Sequence, residues 1–258
     1  NYKVLFLQGG GSTQFAMVPL NLMRGGFAEY IVSGSWSKKA YQEAKRFGDA
    51  HILGDSSDGN FSYVPNVAEL QVNPNADYVY IYGGAQKNVG PAGVTIAIVR
   101  DDLIPTDDLP NVPTMLQYKT HVDGGSMYNT PPCYAIYVCG KVFKWIKAQG
   151  GLEGMRDINV AKAQLLYNAL DESDVFHGTA RKEDRSLMNV PFVTGNAELD
   201  AKFIAEADAA GLKNIKGHRS VGGMRASIYN AMPIEGVQAL VDFMRDFELR
   251  NPASSRSI

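Results

Sequence analysis

Along the first hundred residues the apolar positions come in short runs, broken by glycines and polar stretches. Residues 3–7 (KVLFL) make one such run and lead to Gly9-Gly10-Gly11. This is the pattern of a buried strand running into a glycine turn. Ser12 stands where it would cap a helix continuing as TQFAMVPLNLM. Residues 28–33 (AEYIVS) predict a second strand and residues 50–53 a third. Between them, residues 37–47 (SKKAYQEAKRF) have helical spacing, with Gly48 as the stop. A polar loop at 54–62 follows, and residues 76–82 (ADYVYIY) and 94–100 (VTIAIVR) predict further strands. Strand and helix alternate, so this half is expected to be an α/β layer with a largely parallel sheet.

The pattern then changes. Residues 133–149 (CYAIYVCGKVFKWIKAQ) predict a long amphipathic helix closed by Gly150-Gly151, and residues 152–170 a second one. Residues 186–193 predict a strand, 197–210 a helix, 218–227 a turn and strand, and 234–249 a terminal helix with Pro233 near its first turn. We therefore expect a large domain over 1–150 and a smaller α+β domain over 151–258. The polar end after residue 250 is expected to fray.

Composition narrows the function classes. The chain has 258 residues, 45% hydrophobic and 20% charged, enough for a sizeable core. A net charge of −2 offers no basic field for nucleic acid and no polybasic patch for a membrane. No apolar run approaches the ~18–20 residues of a membrane span, and the first residues lack the features of a secretory signal. Cys133 and Cys139 read as reduced core cysteines of a cytoplasmic protein, or as a disulfide pair. No Cys/His ligand cluster points to a metal.

Five stretches carry candidate chemistry. The first, GGGSTQ at 9–14, would expose backbone N–H groups at a helix start and could seat a phosphate, with the Ser12 and Thr13 hydroxyls as further donors. It fits neither the dinucleotide fingerprint nor the P-loop, and the plain alternative is a glycine turn with a cap. Trp36, between a strand and a helix, would stack on a planar ligand or simply pack. Lys87, in YGGAQKNVGPAG, is a lone cation among small residues. Small neighbours would let a bulky aldehyde reach its amine and form a Schiff base, with Gln86 offering an amide; otherwise it is a solvated loop lysine. Asn129 and Thr130, in GSMYNTPP, would hold a phosphate or cap the next helix. His218, Arg219 and Arg225, in KGHRSVGGMRASIYNA, suit an anion-binding surface or structural ion pairs. His51, His121 and His177 receive no role.

Taken together, NYKVLFLQGGGSTQF, GSWSKKA, YGGAQKNVGPAG, GSMYNTPP and KGHRSVGGMRASIYNAMP closely resemble the phosphoserine aminotransferase family, fold-type I pyridoxal-phosphate enzymes among the class-V aminotransferases. The likeness covers nearly the whole chain. It implies a pyridoxal-phosphate transferase fold with a mainly parallel central sheet flanked by helices. It implies that Lys87 holds the cofactor and shuttles the Cα proton, that Gln86 contacts its ring region, and that Gly11 and Ser12 bind its phosphate. Trp36 would stack on the pyridine ring. Asn129 and Thr130 would reach the phosphate of the partner subunit in a homodimer. His218, Arg219 and Arg225 would take the substrate's phosphate and carboxylate. The implied reaction passes an amino group from glutamate to 3-phosphohydroxypyruvate, in serine biosynthesis; some bacterial members also act on 4-phosphohydroxythreonine.

Two departures stand out against that pattern. The chain starts where family members have already run for a sizeable segment, one that normally supplies a substrate-binding arginine. Between ADYVYI and IYGGAQKN the family has a further stretch, and here Ile81 serves both ends. That stretch normally carries a threonine beside the cofactor and the aspartate that pairs with the pyridine nitrogen. A smaller gap is expected between Ile104 and Pro105. We expect the chain to be part of a longer polypeptide; the alternative is a shortened, inactive remnant. Rival functions are a related transaminase using serine or alanine with glyoxylate, and a cofactor-free binding protein.

Overall fold

The computed structural model describes residues 1–81, 84, 88–217 and 222–252. The chain divides into two compact units, Asn1–Lys144 and Trp145–Ile258. In chain order the first contains β1 (Tyr2–Leu7), α1 (Gly10–Leu22), β2 (Phe27–Val32), α2 (Ser35–Ala44), β3 (Asp49–Asp55), β4 (Val79–Tyr80), β5 (Thr95–Arg100), α3 (Tyr118–Asp123) and most of α4 (Cys133–Ala148). The second contains α5 (Gly151–Glu172), β6 (His177–Gly178), β7 (Asn189–Val193), α6 (Ala197–Ala209), β8 (Met224–Ser227) and α7 (Ile234–Arg250).

Among the described residues the strands of the first unit form two sheets. β2 lies between β3 and β4, parallel to both. It is buried along almost its whole length, as a strand covered on two faces must be. β1 pairs instead with β5, antiparallel, from Tyr2 opposite Arg100 to Leu7 opposite Thr95. β4 keeps only two residues of the seven-residue run expected as a strand, because its ladder reaches β2 only at Glu29 and Tyr30. A groove of about 560 Å³ is lined by Ile81 at the end of β4, by Ile96 and Ile98 of β5, and by Val18 and Leu22 of α1.

α1 holds the two sheets together. Phe15 packs with Ala28, Tyr30, Ala40 and Ala50 on the β2 side. Met17 packs with Leu5, Leu7, Val99 and Tyr118 on the β1 side. Asn21 fixes the helix in place. It is fully buried, and its amide donates to Met17 O (2.8 Å) and Leu116 O (2.7 Å) while its oxygen accepts from Tyr118 N (2.8 Å). A buried amide satisfied at this many points orders its surroundings rather than straining them.

Several boundaries differ from expectation for local reasons. α1 starts at Gly10 with Gly9 as its cap residue and no side-chain cap, so Ser12 lies inside the first turn and caps nothing. α2 starts at Ser35, two residues early, because Ser37 Oγ turns back to accept from Ser33 N and donate to Gly34 O. Gly90, with φ +132°, is needed by packing. A Cβ there would lie 2.6 Å from Cys139 Sγ, so the loop after Lys87 rests directly on α4.

In the second unit β6, β7 and β8 form an antiparallel sheet. Phe176, Phe192, Phe203 and Phe247 are all fully buried and pack ring to ring, Phe203 lying 4.9 Å from Phe176 and 5.1 Å from Phe247. Lys162 on α5 is only 1% exposed. Its ammonium donates to the carbonyls of Tyr229 (3.0 Å), Asn230 (3.2 Å) and Met232 (3.1 Å), tying α5 to the turn between β8 and α7. Burial lowers its pKa from the ordinary lysine value. Arg185 closes a two-pronged pair on Asp171 and stacks over Tyr167 at 4.5 Å. The Arg185 guanidinium holds the Asp171 carboxyl down at about 2.

Lys162→Met removes all three hydrogen bonds of its ammonium and should lower unfolding stability by about 2–4 kcal/mol in urea melts; an unchanged midpoint would remove the clamp. Because the Asp171 pKa is depressed on folding, its stabilising effect is complete above about pH 4 and fades as the pH falls towards 2. Asp171→Asn should therefore flatten that part of the acid-unfolding curve while leaving its shape above pH 5 unchanged.

Candidate active site

The site begins where β1 ends. Gly9 is held at φ +89° and Gly10 at φ +64°. A Cβ on Gly9 would lie 1.9 Å from Thr13 Oγ1, so no other residue fits. The Thr13 hydroxyl donates to Gly9 O (3.1 Å), which commits its proton. Gly10, Gly11 and Ser12 occupy the first turn of α1, where backbone N–H groups have no helical carbonyl to pair with. Those N–H groups and the helix dipole make an anion cradle. A cavity of about 320 Å³ opens beside the turn, bordered by Gln8, Gly9, Thr13, His121, Ser126 and Asn129.

An aromatic wall stands on the β2 side. Trp36, the second residue of α2, is 47% exposed. Its ring lies 6.4 Å from Phe15, and the Lys39 ammonium sits 4.4 Å over it. Phe15 meets Tyr80 edge-on, and Tyr80 stacks on Tyr30 at 5.1 Å. Tyr30 and Tyr78 share a hydroxyl hydrogen bond of 2.6 Å. Burial pushes Tyr30 up to about 12 and Tyr78 higher still, so both stay neutral.

The stretch that raised the lysine chemistry falls mostly outside the described residues: Tyr82, Gly83, Ala85, Gln86 and Lys87 are not described, and with Tyr82 goes the join to Ile81. His218 and Arg219 lie outside them as well. Either side of that second gap, Gly217 N donates to Gly223 O (2.8 Å). Arg225 sits on β8 opposite Pro191 of β7, and its backbone N–H donates to Ile215 O (2.7 Å). Its Nε is buried and meets no acceptor among the described residues.

The loop carrying Asn129 and Thr130 is pinned by residues that sequence reasoning passed over. Phe6 N donates to Ser126 Oγ (3.0 Å), and Gln8 Nε2 donates to Thr130 O (3.1 Å). Ser126 N donates in turn to His121 O (2.8 Å), and a ring nitrogen of His121 pairs with Met115 O (2.9 Å). Asp77 is engaged elsewhere: its carboxylate accepts from Gly25 N and Phe27 N, so it bridges a turn and is not free to serve a ligand.

Comparison with known proteins gives this arrangement a family. The model of the class-V aminotransferases matches residues 73–240. The phosphoserine aminotransferase of Nitrosomonas europaea is 46% identical over 299 residues, covering 96% of this chain and 81% of that protein. That alignment is far longer than the part of the 258-residue chain it draws on, so the relative carries several tens of residues with no counterpart here. The solved phosphoserine aminotransferase from Bacillus circulans subsp. alkalophilus superposes with a TM-score of 0.91 at 40% identity, over 96% of this chain and 81% of that one. The PLP-bound phosphoserine aminotransferase from Trichomonas vaginalis gives 0.86 at 32% identity, over 95% and 82%. With a chain this similar along its length, the protein belongs to the class-V aminotransferase family, among the phosphoserine aminotransferases.

Proposed function

We propose that the chain transfers an amino group between glutamate and 3-phosphohydroxypyruvate, giving 2-oxoglutarate and 3-phosphoserine, with pyridoxal phosphate as cofactor. The observation that carries this reading is the helix start at Gly10–Ser12, an anion cradle beside a cavity. The residues present suit the cofactor's phosphate and ring: first-turn N–H groups for the one, the half-exposed Trp36 for the other. Ser12 contributes no charge, so the phosphate would rest mainly on backbone donors. Bound there, the cofactor supplies an electron sink for the charge left at the substrate's Cα.

The chain's own residues do the rest. Lys87 anchors the cofactor and carries the proton to and from the substrate Cα. Gln86 contacts the ring region. Arg225, with His218 and Arg219, receives the phosphate and carboxylate, and its fork favours a doubly anionic substrate over glyoxylate. We also assign a cytoplasmic homodimer in which Asn129 and Thr130 serve the partner's cofactor phosphate. Met127 and Tyr128 beside them, and Tyr134 and Tyr137 on α4, are strongly exposed for aromatic and thioether side chains.

Purified protein titrated with pyridoxal phosphate should gain a band near ~410–430 nm that Lys87→Ala abolishes, with kcat falling on the order of 10²–10⁴-fold. No cofactor uptake at saturation would sink the proposal, and turnover of glyoxylate in preference to 3-phosphohydroxypyruvate would redirect it. Arg225→Ala should raise KM for 3-phosphohydroxypyruvate about 10–100-fold with a smaller change in kcat, the signature of lost anion binding.

A further inference from the structure

From the contacts around β1 we infer that Ser126 is a positioning residue which fastens the Asn129–Thr130 loop to the glycine turn, and so couples the two cofactor sites of a dimer. The inference rests on the reading that Asn129 and Thr130 serve the partner's cofactor phosphate.

Phe6, Gln8 and Gly9 are consecutive features of one short stretch. Phe6 gives its N–H to Ser126 Oγ, Gln8 gives its side-chain N–H to Thr130 O, and Gly9 opens the anion cradle. Residues 126–130 therefore hang on the three residues before the cradle. The bond at Phe6 is the protected one: Ser126 is 8% exposed, whereas the Gln8 contact is exposed to solvent. On its other side Ser126 N is fixed to His121 O, and the buried His121 ring is fixed to Met115 O. Gly9, Thr13, Ser126 and Asn129 border one cavity.

The backbone at Ser126 makes the hydroxyl the point. Its φ is +63°, a region that glycine enters freely and serine enters at a cost of about 1 kcal/mol. The two residues before it are both glycine, so a third would be the cheaper choice. Serine keeps the one thing glycine lacks, an acceptor for Phe6 N. An anion that tightens the turn at Gly9 in one subunit thereby tightens that subunit's loop 126–130, and the loop faces the other subunit's cofactor.

Hybrid dimers test this directly. One subunit carries Lys87→Ala together with Ser126→Gly and the other is unaltered, so the only chromogenic site belongs to the unaltered subunit. Pyridoxal phosphate should bind that site about tenfold more weakly than in a hybrid carrying Lys87→Ala alone. Glycine suits φ +63°, so the apoprotein melting temperature should hold within a few degrees. Equal affinity in the two hybrids overturns the coupling. A hybrid with Lys87→Ala and Asn129→Ala on one subunit checks the underlying reading. If it too binds at full affinity, the assignment of Asn129 falls and the coupling with it. If only the Ser126→Gly hybrid binds normally, the coupling alone is wrong.

Discussion

One steric fact governs the first unit: Thr13 Oγ1 stands where a Cβ on Gly9 would have to be. The turn between β1 and α1 therefore passes through a left-handed residue without a side chain, and α1 leaves it in a fixed direction. The rest follows from how firmly the two sides of that turn are held. β1 is held by its ladder with β5 and by Ser126; α1 is held by Asn21 and by two cores, with Phe15 in one and Met17 in the other. The helix start is fixed beside the cavity because both cores agree on where α1 lies.

Much of this was legible in the sequence. The solid apolar run of β2, the glycine turn and the long α5 and α7 depend on residues near one another in the chain, and periodicity sees those. Trp36 and Arg225 stood out for the same reason, each being unusual among its immediate neighbours. What stayed hidden depends on distant partners. The start of α1 depends on a left-handed cap that no capping side chain marks. The short β4 is set by how far β2 can pair with it. Ser126, Gln8 and His121 look ordinary, because Ser126 meets Phe6 120 positions away and Gln8 meets Thr130 122 positions away.

In the second unit polar side chains fasten one element to another. Lys162 matches three donors to three carbonyls, and Arg185 closes its fork on Asp171 while its buried Nε goes without an acceptor. Arg225 also has a buried Nε without an acceptor, yet it meets no carboxylate among the described residues.

The ladder between β1 and β5 also has a bearing on how the protein comes into being. Tyr2 pairs with Arg100, so β1 leaves the ribosome almost a hundred residues ahead of β5, its strand partner among the described residues. At ordinary elongation rates that interval is on the order of ten seconds. For that time β1 and the glycine turn after it must wait unpaired, while β2 and β3 are close enough in sequence to join early. The turn at Gly9 takes its final shape only once a strand far later in the sequence has joined β1.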